Sequence, residues 1–140
     1  MVNGGPNSRS SANPFTMDDR RWPLVHIKSP QSDVNVESFF ALIDVCLKKK
    51  TMFGAVHDIR GLPPLNALQR KKFSDYISSK PALLKAYIAA LGVVVNSGIE
   101  RGIVTAVLWV SPVPFPVRVF GSMEEAEVWV REHLRMGPGR

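Results

Sequence analysis

The run Ala89-Ala90-Leu91-Gly92-Val93-Val94-Val95, closed by Asn96-Ser97-Gly98, constrains this chain more than any other stretch. It is too short to span a membrane and too uniformly apolar for a strand with one wet face. It therefore reads as a strand covered on both sides, the habit of parallel sheets. A helical segment from Ile99 to Val110 follows, then a strand over Val117-Arg118-Val119-Phe120, then a last helix ending near Leu134. Strand, helix, strand, helix with short joins marks an α/β layer fold. Both helices begin at Ser-x-x-Glu, with Ser97/Glu100 and Ser122/Glu125 as expected capping boxes. In each, the Ser oxygen accepts an early N–H and the Glu reaches back to the cap N–H.

The same grammar extends upstream. Trp22-Pro23-Leu24-Val25-His26-Ile27 reads as a first strand, and Asp33 or Asn35 can cap a helix whose Val36, Phe39, Phe40, Ile43 and Leu47 share one face. Lys48-Lys49-Lys50 then suits the negative end of that helix. Thr51 to Ile59 is the next strand, and Pro63-Pro64 launches a helix with Leu65, Leu68, Phe73, Tyr76 and Ile77 inward. Ser78-Ser79-Lys80-Pro81 interrupts it, and a short helical piece spans Ala82 to Ala86 before the strand at Ile88 to Val95. The order β-α-β-α-β-α-β-α with right-handed crossovers predicts an α/β fold with a four- to five-stranded, mostly parallel sheet. Residues 1–20, rich in Gly, Ser, Asn and Pro, read as a disordered tail, 21–136 as a single domain, and 137–140 as a second short tail.

Of 18 Lys and Arg, nine lie between residues 48 and 85 against two acidic residues, so the net charge of +6 is concentrated there. A solvated helix face explains this most simply. The only aromatic residues among those charges beyond the strand, Phe73 and Tyr76, fit the buried stripe, which disfavours nucleic acid as a partner. The first residues lack the apolar core of a secretory signal, and a single cysteine, Cys46, fits a reducing compartment, so cytoplasmic location is the default expectation.

No chemistry-bearing cluster emerges. His26, His57 and His133 stand apart without metal-ligand spacing, neither phosphate-loop pattern occurs, and Cys46 among apolar helical neighbours reads as an inert thiol. No catalytic residue, metal or cofactor is expected. His57-Asp58 falls at the carboxyl end of a strand, where ligands gather in open α/β sheets, yet Asp58 and Arg60 read equally as an ion pair bracing the loop. The helix from Ile99 to Val110 is apolar on nearly every side. It must be covered by core, by a second copy in a homodimer, or by an apolar ligand, for which Ile103, Val107 and Phe115 are the lining candidates.

Three features resemble the STAS family and its SEC14-like, SpoIIAA-like small bacterial relatives. These are the strand ending Asp58-Ile59-Arg60-Gly61-Leu62, the apolar strand followed by Asn96-Ser97, and Phe120-Gly121-Ser122-Met123-Glu124-Glu125-Ala126-Glu127-Val128-Trp129-Val130. The resemblance runs from Trp22 to Leu134. It implies a STAS-like, non-enzymatic regulatory module working by protein–protein contact, and the surface expected to make that contact is the loop Asp58 to Leu65 with the adjoining helix start, including Arg60, Gly61, Asn66 and Arg70. As the alternative it implies an apolar or anionic lipid-like ligand held in a SEC14-like manner. The family's phospho-acceptor is a Ser or Thr at the helix start after the second motif strand. Here that loop reads Gly61-Leu62-Pro63-Pro64-Leu65-Asn66 and carries no hydroxyl.

Overall fold

The computed structural model describes residues 14–30, 34–110 and 112–137, with the backbone alone at Val107, Trp109 and Val110. Its elements are β1 (Thr16–Asp18), β2 (Leu24–Lys28), α1 (Val36–Leu47), β3 (Phe53–Asp58), α2 (Ala67–Ser79), α3 (Pro81–Tyr87), β4 (Ile88–Val94), α4 (Gly98–Val110), β5 (Val117–Phe120) and α5 (Met123–Met136). They build a five-stranded sheet in the order β1-β2-β3-β4-β5. Strands β2 to β5 are parallel and β1 alone is antiparallel, pairing Thr16 with Lys28 and Asp18 with His26.

The α/β class and mostly parallel sheet agree with the expected order. One boundary does not. Residues 14–20 were expected in the tail, yet Phe15 is buried and Thr16–Asp18 forms the edge strand. Three residues are too few to show a period, and the long-range contact of Phe15 with Phe39, centroids 5.4 Å apart, is what orders them. Residues 1–13 and 138–140 of the expected tails lie outside the described residues. Gly137, at φ +84°, ends α5 by donating its N–H to His133 O.

Alternation along the strands sends side chains to two unlike layers. On one face Leu24, Val56, Ala90 and Val94 meet Ala126 and Val130 of α5, all essentially inaccessible to solvent. The contact is close because Gly54 and Gly92 lie beneath the helix. A Cβ at Gly54 would overlap Val130 Cγ1, and one at Gly92 would sit 3.2 Å from the methyls of Ala126 and Val130. The opposite face carries Val25, Ile27, Phe53, Ala55 and Ile88 against Phe39, Ile43 and Leu47 of α1, Ile77 of α2 and Leu84 of α3. Between Phe53↔Ile88 and Gly54↔Ala90 the β3–β4 register slips, leaving Ala89 as the extra residue.

Helix starts follow local chemistry. Asn35 caps α1 through Ser38 N, and Asp33 lies outside the described residues. Asn66 and Gln69 form a complete box at α2, with both bonds at 2.8 Å. The two boxes expected from Ser-x-x-Glu form by half. Ser97 and Ser122 accept the N–H of Glu100 and Glu125 at 3.2 Å, but neither Glu returns to its cap N–H. Glu125 Oε1 instead accepts from the Ser122 hydroxyl, and Glu100 takes the N–H of Asn96 at 2.6 Å and of Gly61 at 3.1 Å. Leu68, expected inward, is 61% exposed because the stripe of α2 narrows to Phe73, Tyr76 and Ile77.

The basic segment is largely spoken for. Arg60 pairs with Asp58, Lys71 with Asp75, Lys72 with Glu37 and Lys80 with Asp44, while Lys49 stands 4.9 Å above the Trp22 ring. These contacts agree with a solvated helix face.

Candidate functional site

At the carboxyl end of β3 the chain turns outward through Asp58-Ile59-Arg60-Gly61. Asp58 is buried, and Arg60 clamps it with Nε on Oδ1 and Nη2 on Oδ2, both at 2.9 Å, while the Arg60 N–H donates to Oδ1. The guanidinium holds the Asp58 carboxyl below its ordinary range, and Lys28 Nζ adds a weaker contact at 3.8 Å. Gly61, at φ +82°, makes the tight turn and donates to Glu100. Asn66 caps α2, and Arg70 Nη1 donates to Leu65 O at 2.6 Å. The five residues chosen as a contact surface thus lie along one connected stretch. All five have polar groups bonded within or beside this stretch, and Arg60, Gly61, Asn66 and Arg70 are exposed.

Beneath that stretch, on the face away from α5, lies an apolar cavity of about 140 Å³. Its floor is Ala55, His57, Leu91, Val93 and Val117 of the sheet; its sides are Phe39 and Ile43 of α1 and Phe73 and Ile77 of α2. Ile103, Val104 and Leu108 of α4, with Val113 and Phe115, form the roof. Two of the three residues named for an apolar ligand, Ile103 and Phe115, line this space; the Val107 side chain lies outside the described residues.

The sequence predicts a roof helix apolar on nearly every side, whereas among its described residues the exposed positions include the polar Arg101 and Thr105. Gly98, Ile99, Arg101, Gly102, Thr105 and Ala106 are exposed, Ile103, Val104 and Leu108 are half-buried, and none of its described side chains is fully buried. Ile99, 78% exposed, is the large apolar side chain on its described outer surface. The described apolar side chains at 103, 104 and 108 form an inward row over the cavity, and the described exposed positions mix apolar Ile99 and Ala106 with polar Arg101 and Thr105.

Among the described residues that line it, only His57 and Tyr76 carry a polar side-chain atom. The Tyr76 hydroxyl donates to Asp44 Oδ1 at 2.6 Å, and burial with that carboxylate raises its pKa. Burial pushes the Asp44 carboxyl up, but the bonds from Tyr76 and Lys80 outweigh it and the net shift is downward. His57 stacks on Phe39, centroids 4.9 Å apart and 13° between planes, with Phe15 at 5.6 Å. Its Nε2 shares a hydrogen bond of 2.8 Å with Ser29 Oγ. Burial pushes the imidazole pKa down to about 4, so the ring is neutral near pH 7.

Ser29 and His57 form a hydroxyl–imidazole pair, the first two members of a nucleophilic arrangement. Ser29, however, is 4% exposed and does not line the cavity, so its Oγ orients the ring rather than facing a bound molecule. Cys46 is buried against Met17 Sδ at 3.5 Å, and burial pushes its thiol up to about 11, a protonated and unreactive state. Among the described residues no group of three or more His, Cys, Asp or Glu is placed to hold a metal ion. No helix there is long and apolar enough to cross a membrane.

Sequence reasoning located His57 at a strand's carboxyl end but not the pair with Ser29, which is 28 residues away. It also missed Phe15, which lines the cavity from a segment read as tail. The usable signal was the alternation in Phe53-Gly54-Ala55-Val56-His57, which puts His57 on the same face as Phe53 and Ala55.

No protein-family model matches the sequence, and no curated protein matches it. Among solved structures, an uncharacterized protein of the DUF3478 family with a SpoIIAA-like fold, from Shewanella loihica PV-4, superposes with a TM-score of 0.56. The match is at 14% identity and covers 86% of this chain and 98% of that one. With the parallel sheet, its antiparallel edge and the helices on both faces, this likeness establishes the architecture: the chain has a SpoIIAA-like fold.

Proposed function

We propose that this domain is a non-enzymatic binding module that takes a small apolar molecule, or the apolar end of a lipid-like one, into the space under α4. The observation that supports it is the cavity of about 140 Å³, walled almost wholly by apolar side chains under a roof helix with no fully buried described side chain. An apolar void of about 150 Å³ stays dry and accepts benzene, so this volume suits a single ring or a short chain. Toluene is the direct probe. Added to the protein, it is expected to raise the melting temperature and shift the backbone amide resonances of Val93, Ile103 and Phe115. Val93→Phe fills the space and is expected to abolish both effects in a protein that still melts cooperatively. Unmoved resonances in the wild type would sink the reading.

A second reading is contact with a regulatory protein through the Asp58–Arg70 stretch, in the cytoplasm. It is supported by the exposed pair of Leu68 and Arg70 on the first turn of α2, an apolar and a cationic side chain facing outward beside the braced loop. Arg70→Glu is the cleaner probe, since Arg60→Glu also breaks the Asp58 clamp. Native-host pull-downs with wild type and Arg70→Glu that recover the same proteins would remove it.

A further inference from the structure

Among the described residues, the side chains lining the cavity leave one polar atom unmatched. The Nε2 of His57 is taken by Ser29 Oγ, and its Nδ1 has no hydrogen-bond partner among the described residues. A neutral imidazole carries one donor and one acceptor, and leaving either unmet in an apolar setting is unfavourable. Tyr76, the other polar lining side chain, is already bonded to Asp44. Among the described residues no charged side chain lines the space, so a carboxylate or ammonium placed there would lack a counter-charge from them.

We propose that the molecule held in this cavity is a compact, uncharged apolar compound with a single hydroxyl, the hydroxyl bonded to His57 Nδ1. The proposal rests on the ligand reading above and specifies its chemistry. A hydroxyl suits either tautomer: it donates to Nδ1 when Nε2–H donates to Ser29, and accepts from Nδ1–H when Ser29 Oγ donates to Nε2. Stacking on Phe39 and the Ser29 bond fix the plane of the ring, so the polar direction is set before anything enters. Burial keeps the imidazole neutral at pH 7, in line with an uncharged partner.

Phenol and toluene have nearly the same shape and differ in the hydroxyl. Titrations of the wild-type protein are expected to show phenol binding at least as tightly as toluene. In His57→Phe phenol should weaken about tenfold or more, with toluene held within about threefold. On the wild type, the His57 Nδ1 nitrogen resonance should move with phenol and stay in place with toluene, a readout that needs no variant to fold. Exclusion of phenol by a wild type that binds toluene overturns the proposal and leaves the ligand reading standing, as does an unmoved Nδ1 resonance. Equal loss of both ligands in a folded His57→Phe has the same meaning. If wild type binds neither, both fall.

Discussion

The two faces of the sheet are built to opposite standards. Under α5 the backbone comes close, with glycines at 54 and 92 receiving Ala126 and Val130 and no room for an added methyl at Gly54. Under α4 the same sheet meets half-buried side chains across an empty apolar space. Protein interiors are usually packed like organic crystals, and a void forfeits the dispersion contacts of its lining. A domain of this size tolerates such a loss when one face is tight enough to hold the fold. The difference separates a layer packed to native density from one that is not, the layer to which the proposed ligand reading applies.

The largest test of that contrast concerns pH. The folded state depresses the His57 pKa from 6.5 to about 4, so between those values the unfolded chain binds more protons. The stability tied to the neutral ring is present above about pH 6.5 and is lost as pH falls toward 4, by roughly 3 kcal/mol. The Asp58 contribution is distinct: its depressed pKa keeps stability above the ordinary carboxylate range and yields it only as pH falls below that. Denaturant midpoints of wild type and His57→Phe against pH should differ in slope between pH 6.5 and 4. Parallel curves would show that the cavity wall is as wet as the surface.

Next come matched insertions of methyl groups on the two faces. Gly54→Ala drives a Cβ into Val130 and should cost about 1–3 kcal/mol; Gly92→Ala, with neighbours at 3.2 Å, should cost less. Ala55→Val, whose added carbons enter the cavity, should be neutral or stabilise by roughly 0.5–2 kcal/mol. Equal losses on both faces in chemical denaturation would erase the distinction.

The caps test the same contrast at the helix starts. Ser122→Ala should cost about 0.5–2 kcal/mol, and Ser97→Ala the lower end of that range because Glu100 independently ties Asn96 and Gly61. If Ser97→Ala leaves the midpoint unmoved while toluene binding collapses, that serine belongs to a site and not to a cap. Smallest of all, Ile99→Ser on the outer side of α4 should change stability by less than about 0.5 kcal/mol, and a larger loss in a concentration-dependent melt would reveal a second copy covering it.

The regular elements were legible because their signals are local. Pro63-Pro64, Ser79-Lys80-Pro81 and Ser111-Pro112 punctuate the chain, and the run at 89–95 announces a doubly covered strand. What stayed hidden depends on distant partners. The strand at Thr16–Asp18 exists because β2 and Phe39 are there to receive it, and Asn66-x-x-Gln69 was passed over for the more familiar Ser-x-x-Glu. In α4, the apolar side chains at 103, 104 and 108 look continuous in one dimension, but the helical turn of 100° per residue draws them into one row. The ion-pair alternative for Asp58 and Arg60 could be stated from their spacing, whereas its bidentate geometry could not.

Among the described residues the polar attachments of α4 gather in its first turn, and under the proposed ligand reading this bears on speed as well as strength. Glu100 anchors its first turn to the loop after β3, and Arg101 Nη1 donates to Val119 O at 3.1 Å. Leu108, about 12 Å further along the axis, rests over the void. On the ligand reading proposed above, the helix acts as a lever with its fulcrum at Glu100, and a guest leaving beneath Leu108 lifts the long arm. Loosening the fulcrum lowers the barrier to entry and exit alike, while the guest's resting contacts with the sheet floor stay as they were. How fast the chamber exchanges its contents and how tightly it holds them are then set at opposite ends of one helix.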